Sequence, residues 1–372
     1  MKAIAVVPGS HHSVHLRDVP RPSLDAVGAG RGVRLAIIRA GLCGTDRDLA
    51  EGRYGRAPDG HDFLIIGHES LGRVIEAGLS VSGSMRPGQL VVGTIRRPGG
   101  SVYDRIGSPD LSTDRVSIER GISLQHGFMT EEIVDDADYF VPVPDELEDV
   151  AILTEPLSCV TKALRQANEV QARLGLWEPR RVLVTGAGTI GLLATLALRL
   201  RGLEVTVFSR RAAPYRNSEL IEQIGARYVS AADAELATTA RRYGPFDIVF
   251  ESSGAAQLFE PSVEALAPNG VLALFSVTPG SHPLQVDVAR LNQSMVLGNR
   301  VMVGSAAAAR DDYVQAVAML SRAEAEPATR GWLARLLTTK IEGLDAAVIA
   351  RHLSDGRDAI KATVEISDAG GS

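Results

Sequence analysis

Residues 182–191 read Val182-Leu183-Val184-Thr185-Gly186-Ala187-Gly188-Thr189-Ile190-Gly191, and an apolar stretch from Leu192 to Leu200 follows, stopping near Gly202. A buried strand entering G-x-G-x-x-G, with a helix behind it, is the setting in which each glycine has a physical task. Gly186 permits the tight turn, Gly188 lets the backbone approach a pyrophosphate, and Gly191 lets the helix pack closely on the strand. The helix start, with Thr189 and Ile190 in its first turn, offers unpaired N–H groups and a positive dipole end to phosphates. Glycines also mark ordinary turns, but the flanking strand and helix favour a dinucleotide site here.

The same pattern repeats on the C-terminal side. Apolar strands at Arg181–Thr185, Glu204–Phe208, Asp247–Phe250 and Gly270–Phe275 alternate with helical stretches, which argues for parallel strands joined by crossover helices in an α/β fold. The strand Glu204–Phe208 ends where an acid usually holds the ribose 2′-hydroxyl of NAD. Here that place carries Ser209, then Arg210 and Arg211. A hydroxyl and two guanidiniums can bind a 2′-phosphate that an acid would repel. Adjacent arginines are often just a solvated loop, but this position favours NADP as cofactor, with NAD a possible one.

On the N-terminal side the texture differs. Residues 1 to about 150 are rich in Gly, Pro and short β-branched runs such as Val33–Ile38 and Gly88–Gly93, the signals of a sheet-rich or barrel-like domain. Between the two regions, Asp149 to Leu174 has apolar positions at helical spacing and predicts a long connecting helix. From about 325 the tail returns to strand texture. At 372 residues, two domains are expected. The net charge of −6 gives no footing for nucleic acid, and no apolar run approaches the length that spans a bilayer. The N-terminus reads as a strand and turn rather than a signal peptide, so a cytoplasmic protein is expected. With only Cys43 and Cys159, neither a disulfide framework nor a four-cysteine zinc site can form.

Three pieces of the first half carry metal-ligand chemistry: Gly41-Leu42-Cys43-Gly44-Thr45-Asp46, Gly67-His68-Glu69, and Glu155-Pro156-Leu157. A thiolate, an imidazole and a carboxylate suit a catalytic zinc whose fourth position stays open. Such an ion polarises a substrate oxygen and eases loss of its proton. Singly, Cys43 reads as core packing, His68 as a structural histidine, and Glu155 as an acid in a helix's first turn. Their joint occurrence upstream of a nucleotide fold favours the metal.

On these residues the chain resembles the zinc-containing medium-chain dehydrogenase/reductase family, and within it the NADP-accepting glucose dehydrogenases of archaeal type. Met1-Lys2-Ala3-Ile4, Gly44-Thr45-Asp46-Arg47, Gly67-His68-Glu69, Arg96-Arg97-Pro98, Glu119-Arg120-Gly121-Ile122, His126-Gly127-Phe128-Met129, Glu155-Pro156-Leu157 and Ala267-Pro268-Asn269-Gly270 carry the likeness. It implies a GroES-like, β-rich catalytic domain and a Rossmann domain with a doubly wound parallel sheet. The expected boundaries are 1–164 for the zinc-binding domain, 165–324 for the NADP-binding domain, and 325–372 for the return to the first.

The resemblance further implies Cys43 and His68 as zinc ligands, with Glu69 and Glu155 both candidates for the third, since ligation in such enzymes shifts between acids and water. Thr45 matches the hydroxyl that relays the substrate proton, and Asp46 the acid that orients the histidine. Glu119 and Glu155 match substrate-contacting positions, and Ser253, in Glu251-Ser252-Ser253-Gly254, falls where the family's cofactor domain lines the nucleotide groove, a positioning role. A homodimer or homotetramer is implied as well.

Two departures follow. The stretch from about Pro98 to Arg120 has no cysteine, so one catalytic zinc and no structural zinc is expected. Polar sugar contacts of the archaeal enzymes align with Ile95, Leu297 or Gly298, and Ala307. Each lost contact removes on the order of 1 kcal/mol of recognition, so a different polyol, a cyclitol, a sugar phosphate or a less polar secondary alcohol suits the pocket as well as glucose does. His11, His12 and His15 read as solvated turn residues, His126 as structural or pocket-lining, and Cys159 as a buried helix cysteine.

Overall fold

A computed structural model describes residues 1–278, 280–356 and 358–367. The expected C-terminal return therefore includes positions outside the described residues, namely 357 and 368–372. The chain forms two compact units. The first comprises Met1–Ser158, Ala307–Glu324 and the described residues from Leu333 onward; the second comprises Cys159–Ala306 and Ala325–Trp332.

In the first unit the sheet-rich texture resolves into a seven-stranded sheet. Its central strand, Gly32–Leu42, pairs antiparallel with Glu69–Ala77, with Glu132–Asp136 and with the late strand Lys361–Glu365. Leu337–Glu342 then pairs parallel with Lys361–Glu365. The tail thus supplies two strands to the domain begun by the N-terminus. Apolar burial explains why it returns: Ile341, Ile349, Leu353, Ala362 and Val364 pack in one core with Ile4, Val6, Leu42, Leu49, Leu64 and Ile66. Lys2–Val6 pairs with His15–Asp18 in a hairpin whose turn leaves His11 and His12 exposed, as read, whereas His15 opens the second strand and is half-buried.

In the second unit six strands lie in the order Arg227–Ser230, Glu204–Ser209, Arg181–Thr185, Phe246–Glu251, Leu266–Leu274, Val301–Gly304, all parallel. Numbered by chain position this is 3-2-1-4-5-6, the order of a doubly wound dinucleotide fold. Successive residues Val182, Leu183 and Val184 are all inaccessible. Both sheet faces are therefore covered, which is what parallel strands joined by helices require. The connecting helix runs Thr154–Gln171, flanked by short 3-10 turns at Ala151–Leu153 and Ala172–Leu174. Cys159 on it is half-buried rather than fully buried. No helix among the described residues is long and apolar enough to cross a membrane.

Candidate functional site

Three of the metal-ligand candidates, Cys43, His68 and Glu69, sit where two strand ends of the first unit meet. The central strand ends at Leu42, and Cys43 caps the helix Gly44–Ala50 that follows, its Sγ accepting from the Thr45 N–H at 3.3 Å. His68 immediately precedes the strand Glu69–Ala77, whose register sets Glu69 opposite Gly41. Cys43 Sγ lies 3.1 Å from His68 Nε2, and donor atoms of Cys43, His68 and Glu69 all lie within 4.8 Å of one another. Zinc–sulfur and zinc–nitrogen bonds at a tetrahedral angle separate S and N by about 3.5 Å, so the donor set fits such an ion.

Asp46 organises this corner. Inaccessible to solvent, it accepts from the Cys43 N–H at 2.9 Å and the Gly67 N–H at 3.3 Å, and faces His68 Nδ1 at 3.5 Å. One carboxylate thereby holds both donor-bearing segments and turns Nε2 of the imidazole toward Cys43. Burial pushes the Asp46 carboxyl up, yet His68 and the Cys43 N–H bring it below the usual carboxylate range. The corner attracts positive charge: burial opposes charging of His68, but Cys43 and Asp46 raise it well above its ordinary value.

Glu155 is buried, in the first turn of its helix. It is not part of the converging trio, but its charge acts on Lys361. Lys361, which the sequence reading overlooked, is buried and pairs with Glu69. The one sequence signal for it was a lysine inside the apolar run Ile360–Val364. Thr45 is half-buried in the first turn beside Cys43.

Glu119 is half-buried and pairs with Arg96 at 3.1 Å, and Tyr54 stands near both; burial, then Glu119, pushes its phenol up. Ile95, at the place of a polar sugar contact, is buried at 6% exposure. Leu297 is exposed, and Gly298 caps its helix. The cysteine-free stretch that follows is braced by carboxylates. Asp104 accepts from the Ser101 N–H and Ser112 hydroxyl, both at 2.9 Å, and is pulled down to about 2 by Ser101 first, against burial. Asp114 accepts from the Gly100 N–H at 2.6 Å.

In the second unit, Gly186 (φ +95°) makes the turn after the first strand, and Gly188 caps the helix Thr189–Leu200. A Cβ on Gly191 would lie 2.1 Å from the Gly186 carbonyl oxygen, so the close helix–strand approach demands glycine. Ile190 is half-buried and Gly188 exposed at the helix start. Ser209 ends the second strand, with Arg210 and Arg211 exposed directly after it. The Arg211 guanidinium lies 4.9 Å from the Tyr215 ring centroid, and the Tyr228 hydroxyl donates to the Arg211 carbonyl. Neither tyrosine was expected. Ser253 is exposed, and its hydroxyl and N–H both donate to Glu251 Oε1, which also accepts from Thr185 at 3.1 Å. Glu251 therefore holds the loop beside the glycine turn, at the point between first and fourth strands where the sheet order reverses.

A doubly wound dinucleotide sheet and a thiolate–imidazole–carboxylate corner in one chain define the class of nucleotide-dependent dehydrogenases. A family model described as "Glucose dehydrogenase C-terminus" matches residues 148–366, and one described as "Alcohol dehydrogenase GroES-like domain" matches residues 30–145. The glucose 1-dehydrogenase of Methanocella arvoryzae is 36% identical over 368 residues, covering 98% of this chain and 99% of that one. Glucose 1-dehydrogenase 2 of Vulcanisaeta moutnovskia is 40% identical over 345 residues, covering 91% and 92%. Among solved structures, the Haloferax mediterranei glucose dehydrogenase in complex with NADP, Zn and gluconolactone superposes with a TM-score of 0.86 at 29% identity, covering 99% of this chain and 100% of that one. The chain belongs to the zinc-containing medium-chain alcohol dehydrogenase family, in its glucose dehydrogenase branch, and is an oxidoreductase acting on CH–OH donors.

Proposed function

We propose that this protein oxidises a secondary hydroxyl of a sugar or polyol with zinc and NADP, as a glucose 1-dehydrogenase-like enzyme. The convergence of Cys43, His68 and Glu69 within 4.8 Å carries the reading. When bound, the zinc supplies Lewis acidity toward the substrate oxygen and NADP accepts the hydride. Cys43 and His68 hold the metal, and Glu69 and Glu155 stand as its carboxylate candidates. Asp46 fixes the imidazole, and Thr45 passes the substrate proton. Glu119, with Glu155, contacts substrate. Gly186, Gly188, Thr189, Ile190 and Gly191 seat the pyrophosphate, Ser209, Arg210 and Arg211 hold the 2′-phosphate, and Ser253 lines the groove. NADP is preferred over NAD.

One zinc per chain is proposed, since aspartate and serine bonds already brace the stretch from Pro98 to Arg120. The functional partition is 1–164 with 325–372 for the metal and 165–324 for the cofactor. The compact units support it, apart from Ala307–Glu324, which clusters with the first. A homodimer or homotetramer is supported by exposed Val288, Val296 and Leu297 on one helix, near the edge strand Val301–Gly304. Sparse cysteine suits a reducing, cytoplasmic setting.

A second reading, a cyclitol or another less polar secondary alcohol, is favoured by two observations. Ile95 is apolar and buried, and Glu119 is already paired with Arg96, which leaves fewer free polar groups for a hexose. Metal analysis joined to an NADP-reduction panel of aldoses, polyols and cyclitols tests both. About one zinc per chain and turnover of an aldose or polyol is expected. Activity without zinc sinks the metal assignment, and turnover of cyclitols alone selects the second reading.

A further inference from the structure

Lys361 opens the last strand of the first unit, its side chain only 2% exposed. Buried lysines need partners, and this one has two. Its ammonium donates to the Leu42 carbonyl at 3.1 Å and to the Glu69 carboxylate. Leu42 precedes Cys43, and Glu69 follows His68. A single ammonium therefore ties together the two backbone segments that carry the thiolate and the imidazole. Strand register makes this contact: Ala362 lies opposite Leu42 on one side of the central strand, and Glu69 opposite Gly41 on the other.

Glu69 is confined from the other direction as well. A Cβ on Gly41 would lie 1.9 Å from Glu69 Oε2, so the carboxylate occupies a slot that only glycine leaves open. In that slot it is inaccessible, near Cys43 and His68, yet engaged by the ammonium. An oxygen that shares its lone pairs with an ammonium is a weaker metal donor, and the ammonium's own charge repels a neighbouring cation.

We propose that Lys361 is a positioning residue that competes with the metal for Glu69, holding this carboxylate in reserve so that a coordination position stays open to substrate. The inference rests on the zinc reading above. Lys361 also feels Cys43 and Glu155: burial works against its charge, but Glu69, then Cys43, hold the ammonium above its ordinary range. The cation thus stands among the anionic donors rather than beside one of them.

The test uses the full-length protein with zinc, and with cobalt(II) exchanged for zinc as a reporter of ligand number. Four variants are compared with wild type: Lys361→Met, Lys361→Arg, Glu69→Gln and the double change Lys361→Met with Glu69→Gln. Lys361→Met should alter the cobalt visible bands and slow zinc loss to a chelator by about tenfold or more, as Glu69 joins the ligand set. Lys361→Arg should restore much of the wild-type behaviour. The double variant should return toward wild type, because the freed carboxylate is gone. Wild-type bands and release rates in Lys361→Met overturn the proposal, as does an equal change in the double variant. If Lys361→Met does not fold, Glu69→Gln decides: unchanged cobalt bands uphold a reserve role, and changed bands overturn it. A wild-type protein that takes up neither zinc nor cobalt overturns the metal reading itself, and this proposal with it.

Discussion

Asp46 is the residue on which the metal corner turns, since its two oxygens serve the Cys43 and Gly67 N–H groups while facing His68. Replacing it with Asn keeps the shape but offers an amide N–H where an acceptor is needed. Asp46→Asn should weaken zinc binding by roughly tenfold to a hundredfold, read by chelator competition; unchanged affinity would remove Asp46 from its assigned role. His126 shows a different residue-scale effect. Its Nδ1 accepts from the Ile65 N–H at 3.2 Å, its ring stacks on Phe63, and Nε2 lies 3.4 Å from His61 Nδ1. This is a neutral imidazole. Burial, then His61, Arg120 and Arg17, lower it from 6.5 to about 4. The unfolded chain binds this proton below about 6.5, while the fold resists until about 4. The contribution of His126 to stability is therefore complete above pH 6.5 and declines as pH falls toward 4. His126→Asn, which can keep the Ile65 acceptor, should show a shallower fall of Tm across that window, and parallel curves would refute the assignment.

Among the elements, the loop after the second parallel strand is the one proposed to choose the cofactor. Arg210 and Arg211 leave the strand end exposed, and Tyr215 and Tyr228 steady Arg211 by a ring contact and a carbonyl bond. Charge-assisted bonds to a phosphate are worth about 1.5–3 kcal/mol each. Changing both arginines to Ala should raise the Michaelis constant for NADP at least tenfold, by that estimate, while leaving that for NAD nearly unmoved. An equal loss for both cofactors would place the 2′-phosphate elsewhere. The glycine turn beside it illustrates a constraint that is fully local: a Cβ at Gly191 meets the Gly186 carbonyl oxygen at 2.1 Å.

At the scale of the whole molecule, the first unit is assembled from both ends of the chain. The strand Lys361–Glu365 lies between Gly32–Leu42 and Leu337–Glu342. It supplies Ala362 and Val364 to the core shared with Ile4 and Leu64. A chain ending at Trp332 loses both late strands and Lys361. It should retain no zinc, and residues 1–158 should become protease-sensitive; a truncated protein that still holds one zinc per chain would contradict this. The pairing of Leu42 with Ala362 closes a loop of most of the chain, a non-local contact of the kind that slows folding.

What the sequence determined by itself was local and periodic. The alternation of strands and helices around Gly186–Gly191, the arginines after the second strand, and the donor types of Cys43, His68 and Glu155 could be read from the sequence, since turn chemistry and ligand chemistry reside in short runs of residues, whereas Glu69 came only with the family resemblance. Tertiary structure alone decided which distant residues meet. Lys361 reaches Glu69 across 292 positions, Gly41 makes room for a carboxylate on a neighbouring strand, and Tyr228 secures Arg211. No periodicity encodes such pairs, because strand register and burial are settled only when the whole sheet closes on its core.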